Sequence, residues 1–202
     1  MTSPNLSILI CIGLLLSACS ANLSNNSRGG SWKDSDGNTY TVRVMQDDRQ
    51  WMTQNLNIRT RGSYCYDDAD ANCAKYGRLY TWESAKKGCE MLGKEWQLPT
   101  NEEWEQMVQH YGGVRIEPKQ DGKEAYKHLI QEGDARFNIV FGGTRDSSGG
   151  YGRLAAHGYY GTATEYDSAN AWFYNLGKGG QIVNRHADGE KSMAISVRCI
   201  KH

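Results

Sequence analysis

Histidine and carboxylate side chains are the groups in this sequence that could act as bases or metal ligands. The five histidines are scattered along the chain, and none lies in a motif typical of a metal ligand. His186, Asp188 and Glu190 alternate, so they could share one face of a strand and bind a cation, although their polar surroundings favour a turn. The sequence has no G-x-S-x-G, P-loop or G-x-G-x-x-G pattern. We therefore predict no catalytic residue, no metal ion and no cofactor.

The first residues have the pattern of a bacterial export signal. The apolar run from Leu6 to Leu16 is as long as a signal-peptide core and shorter than a membrane-spanning helix. The LSAC sequence at 16–19 resembles the bacterial lipobox, where a lipoprotein is acylated on cysteine and cleaved just before it. This resemblance implies a lipoprotein signal peptide at 1–18 and a lipidated Cys19. The polar residues that follow predict a flexible tether at 19–31.

The expected location follows from that anchor. Ser20, and not Asp, stands directly after Cys19. In bacterial lipoproteins, a residue other than Asp at this position resembles the signal for transport out of the inner membrane. We expect a lipid-anchored protein of the cell envelope, on the outer membrane and facing the periplasm or the exterior. Its only contact with the membrane would be the lipid.

The remaining cysteines favour disulfides. If Cys11 leaves with the signal and Cys19 carries lipid, four of the six cysteines remain, and an even number in an exported chain allows three pairings. The close C-x-x-C pairs of a zinc site are absent. Cys65 and Cys73 lie in one turn-rich polar loop and form the natural local pair.

The stretch at 77–111 predicts a helix, a short strand and a second helix. Apolar residues after Thr81 recur at spacings of three and four until Gly93, and a short apolar run ends at Pro99. Thr100 and Glu103 then have the spacing of a capping box, in which each side chain bonds the other's backbone amide. Trp104 and the apolar residues that follow it should form the buried stripe of the second helix.

The rest of the chain predicts short strands around that unit. DSDGN at 34–38 departs from the EF-hand glycine position, so it predicts a tight turn before a hairpin of 39–45 and 50–56. A helix at 123–133 and strands at 137–141 and 193–200 should follow, the last with alternate residues buried. The segment 142–189 is rich in glycine and tyrosine, which predicts ordered loops with short strands. Arg145 and Arg198 are expected to form ion pairs with Glu83 or Glu103.

Several of these motifs together resemble one family. YGRLYTWESAKKGC, WQLPTNEEWEQM, DSDGNTYTVRV, GYYGTATEYDSANAW and the terminal SVRCIKH occur in the order typical of the Fibrobacter succinogenes major paralogous domain family. The resemblance covers 32–202. It implies an α+β, C-type lectin-like fold with two to three helices on short, mostly antiparallel strands and long glycine-rich loops. It also implies a bridge between Cys89 and Cys199, from the first helix to the last strand.

The resemblance also implies where a ligand would bind. C-type lectin-like domains use their long loops for recognition, so we expect contacts from Tyr and Trp side chains, which stack on sugars and hydrogen-bond at their edges. Lys+Arg 23 equals Asp+Glu 23, so a nucleic-acid partner is not indicated. The expected function is a surface-anchored, non-catalytic binding or adhesion lipoprotein for a glycan or a surface protein. Alternatives are a structural lipoprotein of an envelope assembly and an enzyme related to formylglycine-generating enzymes. The candidate ligand-binding residues are Tyr151, Arg153, Tyr159, Tyr160, Trp172 and Tyr174.

Overall fold

A computed structural model describes residues 29–202, so the predicted signal peptide, Cys19 and residues 20–28 of the tether lie outside it. The tether prediction was wrong for 29–31, which form the first strand together with Trp32 and Lys33. The strand is held because the Trp32 ring packs 5.6 Å from the Trp96 ring and its Nε1 donates to the Leu92 carbonyl at 3.1 Å. The Gly and Ser composition had indicated flexibility instead.

The part of the chain from 29 to 202 contains twelve strands and four α-helices. The strands are β1 (Gly29–Lys33), β2 (Thr39–Val44), β3 (Gln50–Met52), β4 (Ser63–Tyr64), β5 (Leu79–Tyr80), β6 (Trp96–Gln97), β7 (Thr144–Arg145), β8 (Tyr151–Gly152), β9 (His157–Glu165), β10 (Asn170–Gly177), β11 (Ile182–Glu190) and β12 (Ile200–Lys201). The helices are α1 (Asp70–Tyr76), α2 (Trp82–Glu90), α3 (Asn101–Gln109) and α4 (Lys123–Leu129).

These strands form two main antiparallel sheets and two small ribbons. The larger sheet has the order β1-β2-β3-β12-β6, and the smaller has the order β11-β10-β9. The ribbons are β4-β5 and β7-β8. Segment 194–196 connects the smaller sheet with the β4-β5 ribbon. Ser196 forms a β-bridge with Tyr160 of β9, and Ile195 forms one with Tyr80 of β5. The predicted α+β class is confirmed.

The helix, strand and helix predicted at 77–111 are present. Thr100 Oγ1 accepts from the Glu103 amide at 3.1 Å, and Glu103 Oε2 accepts from the Thr100 amide at 2.8 Å. This reciprocal pair satisfies two amides that a helix N-terminus otherwise leaves without partners. Thr81 precedes α2 but makes no side-chain cap, because its hydroxyl donates to Ser84 Oγ at 3.1 Å.

The predicted tight turn at 34–38 and the hairpin after it are also present. The Gly37 amide donates to the Asp34 carbonyl at 3.2 Å, and Gly37 has φ +89°, a conformation that glycine adopts without strain. Strands β2 and β3 then pair in antiparallel register, with Arg43 opposite Trp51. The Asp34 carboxylate makes its hydrogen bonds within and next to this turn, because it accepts from the Asn38 amide and from the Tyr40 hydroxyl.

Four other predictions were wrong in detail. The polar loop around Cys65 contains α1, so the helices number four among residues 29–202. Segment 137–141 contributes only one bridge, from Ile139 to Ile130. The predicted strand at 193–200 is extended chain of which only Ile200 belongs to a strand, and residues 194–200 are all buried, so no side of it faces solvent. The glycine-rich segment forms the long strands β9, β10 and β11, because their alternate residues Tyr160, Tyr174 and Leu176 are completely buried.

Both expected disulfides are present. Cys65 and Cys73 are bonded in the loop that leads into α1, and Cys89 at the end of α2 is bonded to Cys199 beside β12. The second bond joins residues 110 positions apart in sequence. It lies within one apolar cluster with Leu92, Trp96 and Val197. The other large cluster surrounds Trp104 of α3.

Candidate functional site

Two of the six predicted ligand-binding residues belong to the core. Tyr160 and Tyr174 have 0% of their surface exposed, and both rings contact the Trp104 ring, at 5.7 and 5.2 Å. The Tyr160 hydroxyl donates to the Val140 carbonyl at 2.8 Å and accepts from the Val140 amide at 3.1 Å. The Tyr174 hydroxyl donates to the Asn101 carbonyl at 3.0 Å, and burial raises the pKa of Tyr174 well above its ordinary value. These two residues were therefore wrongly assigned to the ligand surface.

Trp172 points to the same side of β10 as Tyr174, but at its edge. Its ring is half-buried beneath the Arg185 guanidinium, 5.1 Å away, and contacts the Tyr166 ring edge-on at 5.6 Å. Arg185 also binds Glu105 of α3 at 2.6 Å. Trp172 thus covers an ion pair that joins the sheet to a helix, which makes it a packing residue.

Tyr151 lies in a separate aromatic cluster beside the Cys65–Cys73 loop. Its ring is 5.1 Å from the Tyr66 ring, and its hydroxyl donates to Asp68 Oδ1 at 2.7 Å. Burial, followed by the Asp68 carboxylate, raises the pKa of Tyr151. The Arg145 guanidinium is 4.1 Å from the Tyr64 ring and 5.7 Å from the Tyr151 ring.

The two predicted ion pairs of arginine are absent from the described residues. Arg145 stacks between tyrosine rings, while Arg198 is fully buried and donates to neutral oxygens. Glu83 binds Lys86 at 3.0 Å, and Glu103 Oε1 lies 3.8 Å from Arg49 Nε. Both glutamates therefore have other cationic partners.

Of the two remaining predicted residues, Arg153 lies in the loop before β9, near Tyr159, and Tyr159 lies on the opposite side of the β9-β10-β11 sheet. We call this side the outer face. Its residues follow from the register, in which β10 pairs with β9 on one edge and β11 on the other. Each residue of β10 on this side stands between one residue of β9 and one of β11, which gives three rows. The rows are Gly161, Phe173 and His186; then Tyr159, Asn175 and Asn184; then His157, Gly177 and Ile182.

Aromatic rings form a continuous series across the outer face. The His157 and Tyr159 rings stack at 5.7 Å, Tyr159 is 6.1 Å from Phe173, and Phe173 stacks on His186 at 5.0 Å. Phe173 is 8% exposed because its neighbours flank it, whereas the His186 side chain is 42% exposed. Burial raises the pKa of Tyr159, and nearby Arg153 opposes that shift. His157 and Tyr159 of β9 and His186 of β11 are partly exposed, whereas Phe173 of β10 is buried between them.

Amide groups and a glycine complete this surface. Asn175 Nδ2 donates to the Gly158 carbonyl at 3.2 Å and lies 3.2 Å from His157 Nδ1. A Cβ added to Gly177 would lie 3.0 Å from the His157 ring, so glycine there lets the imidazole lie flat against the sheet. Such a flat surface of rings and amides can contact a ligand over several repeating units.

Five aromatic or amide residues of the outer face were missed in the sequence. Both sides of β10 carry aromatic and amide residues in NAWFYNLG, so alternation alone could not assign its inner side. The register with β9 and β11 decides the matter, and it depends on contacts remote in sequence. The residues missed were His157, Phe173, Asn175, Asn184 and His186.

The alternating acidic pattern in β11 forms no cation site. His186 stacks on Phe173, and its Nδ1 is 3.9 Å from Asp188. A β-bulge follows His186, because Phe173 pairs with it while Ala171 pairs with Gly189. Residues 186–190 therefore belong to strand β11, and the polar turn that the sequence favoured there is not formed. Within residues 29–202 no group of three or more His, Cys, Asp or Glu side chains is placed to hold a metal, and no helix is long and apolar enough to cross a membrane.

Comparison with known proteins identifies a family. No curated protein and no solved structure matches the chain significantly. The family model described as the Fibrobacter succinogenes major domain matches residues 33–201, which span both sheets, all four described helices and both disulfides. The chain therefore belongs to the Fibrobacter succinogenes major domain family.

Proposed function

We propose that this protein is a surface-anchored, non-catalytic binding lipoprotein that recognises a glycan through the outer face. The observation that carries the proposal is the three-row register, which brings the partly exposed rings of Tyr159 and His186 to the same side of one sheet, with the buried ring of Phe173 between them. Tyr160 and Tyr174 belong to the inner side and have no part in recognition.

The chemistry of the outer face suits a polysaccharide. Aromatic rings pack against the apolar faces of sugar rings, and their polar edges reach hydroxyl groups. Asn184 is partly exposed and carries a donor and an acceptor, as sugar hydroxyls do. The rings lie on adjacent strands of a sheet, and strand neighbours are about 4.8 Å apart, so the surface is extended. An extended surface favours a chain of sugars over a single small molecule.

The anchor and the fold form part of the same proposal. Lipid on Cys19 would hold the domain at the outer membrane of a bacterial envelope, with the residues before β1 as the tether. We also propose that the domain has a C-type lectin-like fold, which is supported by the Cys89–Cys199 bond between α2 and the last strand. The four cysteines at 65, 73, 89 and 199 are bonded to one another, which disfavours the paired-cysteine chemistry of formylglycine-generating enzymes.

The alternative of an envelope assembly has less support. An assembly surface would expose a continuous apolar patch, typically above several hundred Å². The large apolar side chains exposed among the described residues are Met91, Ile116 and Tyr166, and they lie on three separate segments. Recognition of a glycan by the outer face accounts for the exposed rings more directly.

A polysaccharide array tests this function. The full-length chain, purified in detergent, is applied to neutral and acidic bacterial and plant polysaccharides, with Tyr159→Ala as the comparison. We expect binding to one chemical class and its loss in the variant. Absence of binding to every polysaccharide, from protein that unfolds cooperatively and has both disulfides, would reject glycan recognition in favour of a protein partner.

A further inference from the structure

A second site lies away from the outer face, in a cleft of about 560 Å³ between the β2-β3 hairpin, helix α1 and segment 131–140. Side-chain amides are the most frequent groups in its walls. Apart from aromatic rings and the Cys65–Cys73 bridge, Ala74 and Val140 are its only apolar side chains. The amides that line it are Asn38, Gln54, Asn55, Asn57, Gln131 and Asn138.

The cleft has a cationic base without a matching anion. Arg198 lines it from below and is fully buried, and its hydrogen bonds go only to neutral oxygens. Nε donates to Asn55 Oδ1 at 2.7 Å, and the two terminal nitrogens donate to the carbonyls of Phe137 and Asn138 at 2.9 and 2.8 Å. Burying a cation without an anionic partner costs free energy. Because no anion neutralises Arg198 here, its positive charge can attract a negative group of a ligand nearby.

The charged groups at the mouth of the cleft have the same sign. Lys75 of α1 is exposed there, and among residues 29–202 no Asp or Glu side chain lines the cleft. A smaller depression of about 240 Å³ adjoins it and contains two acids and two arginines, which balance each other. Its charged residues are Asp36, Arg59, Asp70 and Arg78.

One amide of the cleft has an unsatisfied acceptor. Asn57 donates through Nδ2 to Asn38 Oδ1 at 3.0 Å, but its own buried Oδ1 has no hydrogen-bond donor within residues 29–202. Asn55 is held on both sides, by Arg198 and by the Tyr76 carbonyl, which accepts from its Nδ2 at 2.8 Å. Fixed amides of this kind can bind hydroxyl groups, which both donate and accept.

We propose that this cleft binds a carboxylate-bearing sugar, a uronate. The amides match the hydroxyl groups, and the two cations match the carboxylate. A peptide would require apolar pockets for its side chains, which this wall of amides does not offer. The site shares no residue with the outer face, so it goes beyond glycan binding there.

Nuclear magnetic resonance of the full-length, isotope-labelled chain in detergent micelles tests the proposal. The probes are glucuronate, galacturonate and mannuronate, with glucose, galactose and mannose as neutral counterparts and acetate as the bare carboxylate. At least one uronate should shift the side-chain signals of Asn138, Gln131 and Arg198 saturably. Its neutral counterpart and acetate should each bind more weakly, by about tenfold or more if charge and hydroxyl contacts both contribute.

Matched variants locate the binding. Lys75→Met should weaken uronate binding by about three- to tenfold, and Gln131→Ala should act in the same direction. Lys94→Met removes an exposed lysine elsewhere and should change nothing. The proposal is overturned if no uronate binds, if a neutral sugar or acetate binds as tightly, if an acidic peptide binds there in place of uronates, or if Lys75→Met behaves as Lys94→Met does.

Discussion

The ring of Phe173 lies parallel to the imidazole of His186, with centroids 5.0 Å apart and an angle of 15° between the planes. The two residues are opposite each other in the register of β10 and β11. Cross-strand aromatic pairs of this kind stabilise a sheet, and here Phe173 is buried while the His186 side chain is 42% exposed. The imidazole of His186 therefore helps to hold the strands together and is also accessible to a ligand.

Tyr160→Phe is expected to destabilise the protein. It removes a hydroxyl that bonds both the amide and the carbonyl of Val140, and it leaves those backbone groups without their partner. A loss of about 1–3 kcal/mol in the free energy of unfolding should follow. Urea denaturation measures it, and Tyr159→Phe is the control on the same strand. Equal stabilities for the two variants would contradict the placement of Tyr160 in the core.

Arg198→Lys should also be destabilising, although the charge is kept. Lysine has three donors on one nitrogen and cannot reproduce the fork that binds Asn55, Met52, Phe137 and Asn138. Buried oxygens left without a donor predict a loss of about 2–4 kcal/mol. Thermal or urea unfolding with Arg153→Lys, an exposed arginine, as control is the measurement. A variant as stable as the wild type would show that the fork does not matter.

The two disulfides should differ in their contributions. Cross-linking residues 110 apart restricts the unfolded chain more than linking residues eight apart. On the chain-entropy model the long link contributes about 4–5 kcal/mol and the short one about 2–3 kcal/mol. Paired alanine substitutions at Cys89 and Cys199, against those at Cys65 and Cys73, measure this by urea unfolding. A larger loss from the short link would contradict the expectation.

Alkaline pH should weaken the fold through its buried tyrosines. Burial raises the pKa of Tyr40, Tyr80 and Tyr174 above the ordinary value of 10.0. Because the folded pKa is the higher one, their contribution is complete below pH 10 and is lost as the pH rises above it. The free energy of unfolding should fall by about 1.4 kcal/mol per pH unit for each tyrosine that ionises only on unfolding.

Tyr80→Phe isolates one of these contributions. The variant loses the hydroxyl that donates to the Ile58 carbonyl at 2.7 Å, so it starts less stable, but its stability should fall less steeply above pH 10 than that of the wild type. Urea midpoints between pH 9 and 11 provide the slopes, with Tyr166→Phe as an exposed control. Parallel slopes for wild type and Tyr80→Phe would be inconsistent with a raised pKa.

Local signals in the sequence predicted local structure well. The Thr100–Glu103 capping box, the turn at Gly37 and the period of α3 depend on residues a few positions apart, and each is present. The family resemblance supplied the Cys89–Cys199 pairing, and the structure contains that bond. In both cases the deciding information lay in the sequence itself.

The surfaces could not be predicted in the same way. Trp172, Phe173 and Tyr174 are all aromatic, and only pairing with β9 and β11 decides that Phe173 faces outward. Residues 29–31 have the composition of a tether, yet they belong to strand β1, which the distant Trp96 and Leu92 hold through Trp32. Arg198 was expected to pair with a glutamate, but backbone carbonyls from 52 and 137–138 surround it. Each of these outcomes depends on contacts between segments far apart in sequence.

Affinity electrophoresis of a double variant tests glycan recognition by the outer face most directly. The full-length chain is run through gels that contain xylan, mannan, β-glucan or starch, together with Tyr159→Ala/His186→Ala and the exposed control Tyr166→Ala. At least one polysaccharide should retard the wild type and Tyr166→Ala equally, and the double variant should bind about tenfold or more weakly. Equal retardation of the double variant and the wild type, or no retardation of folded wild type in any gel, would contradict the account.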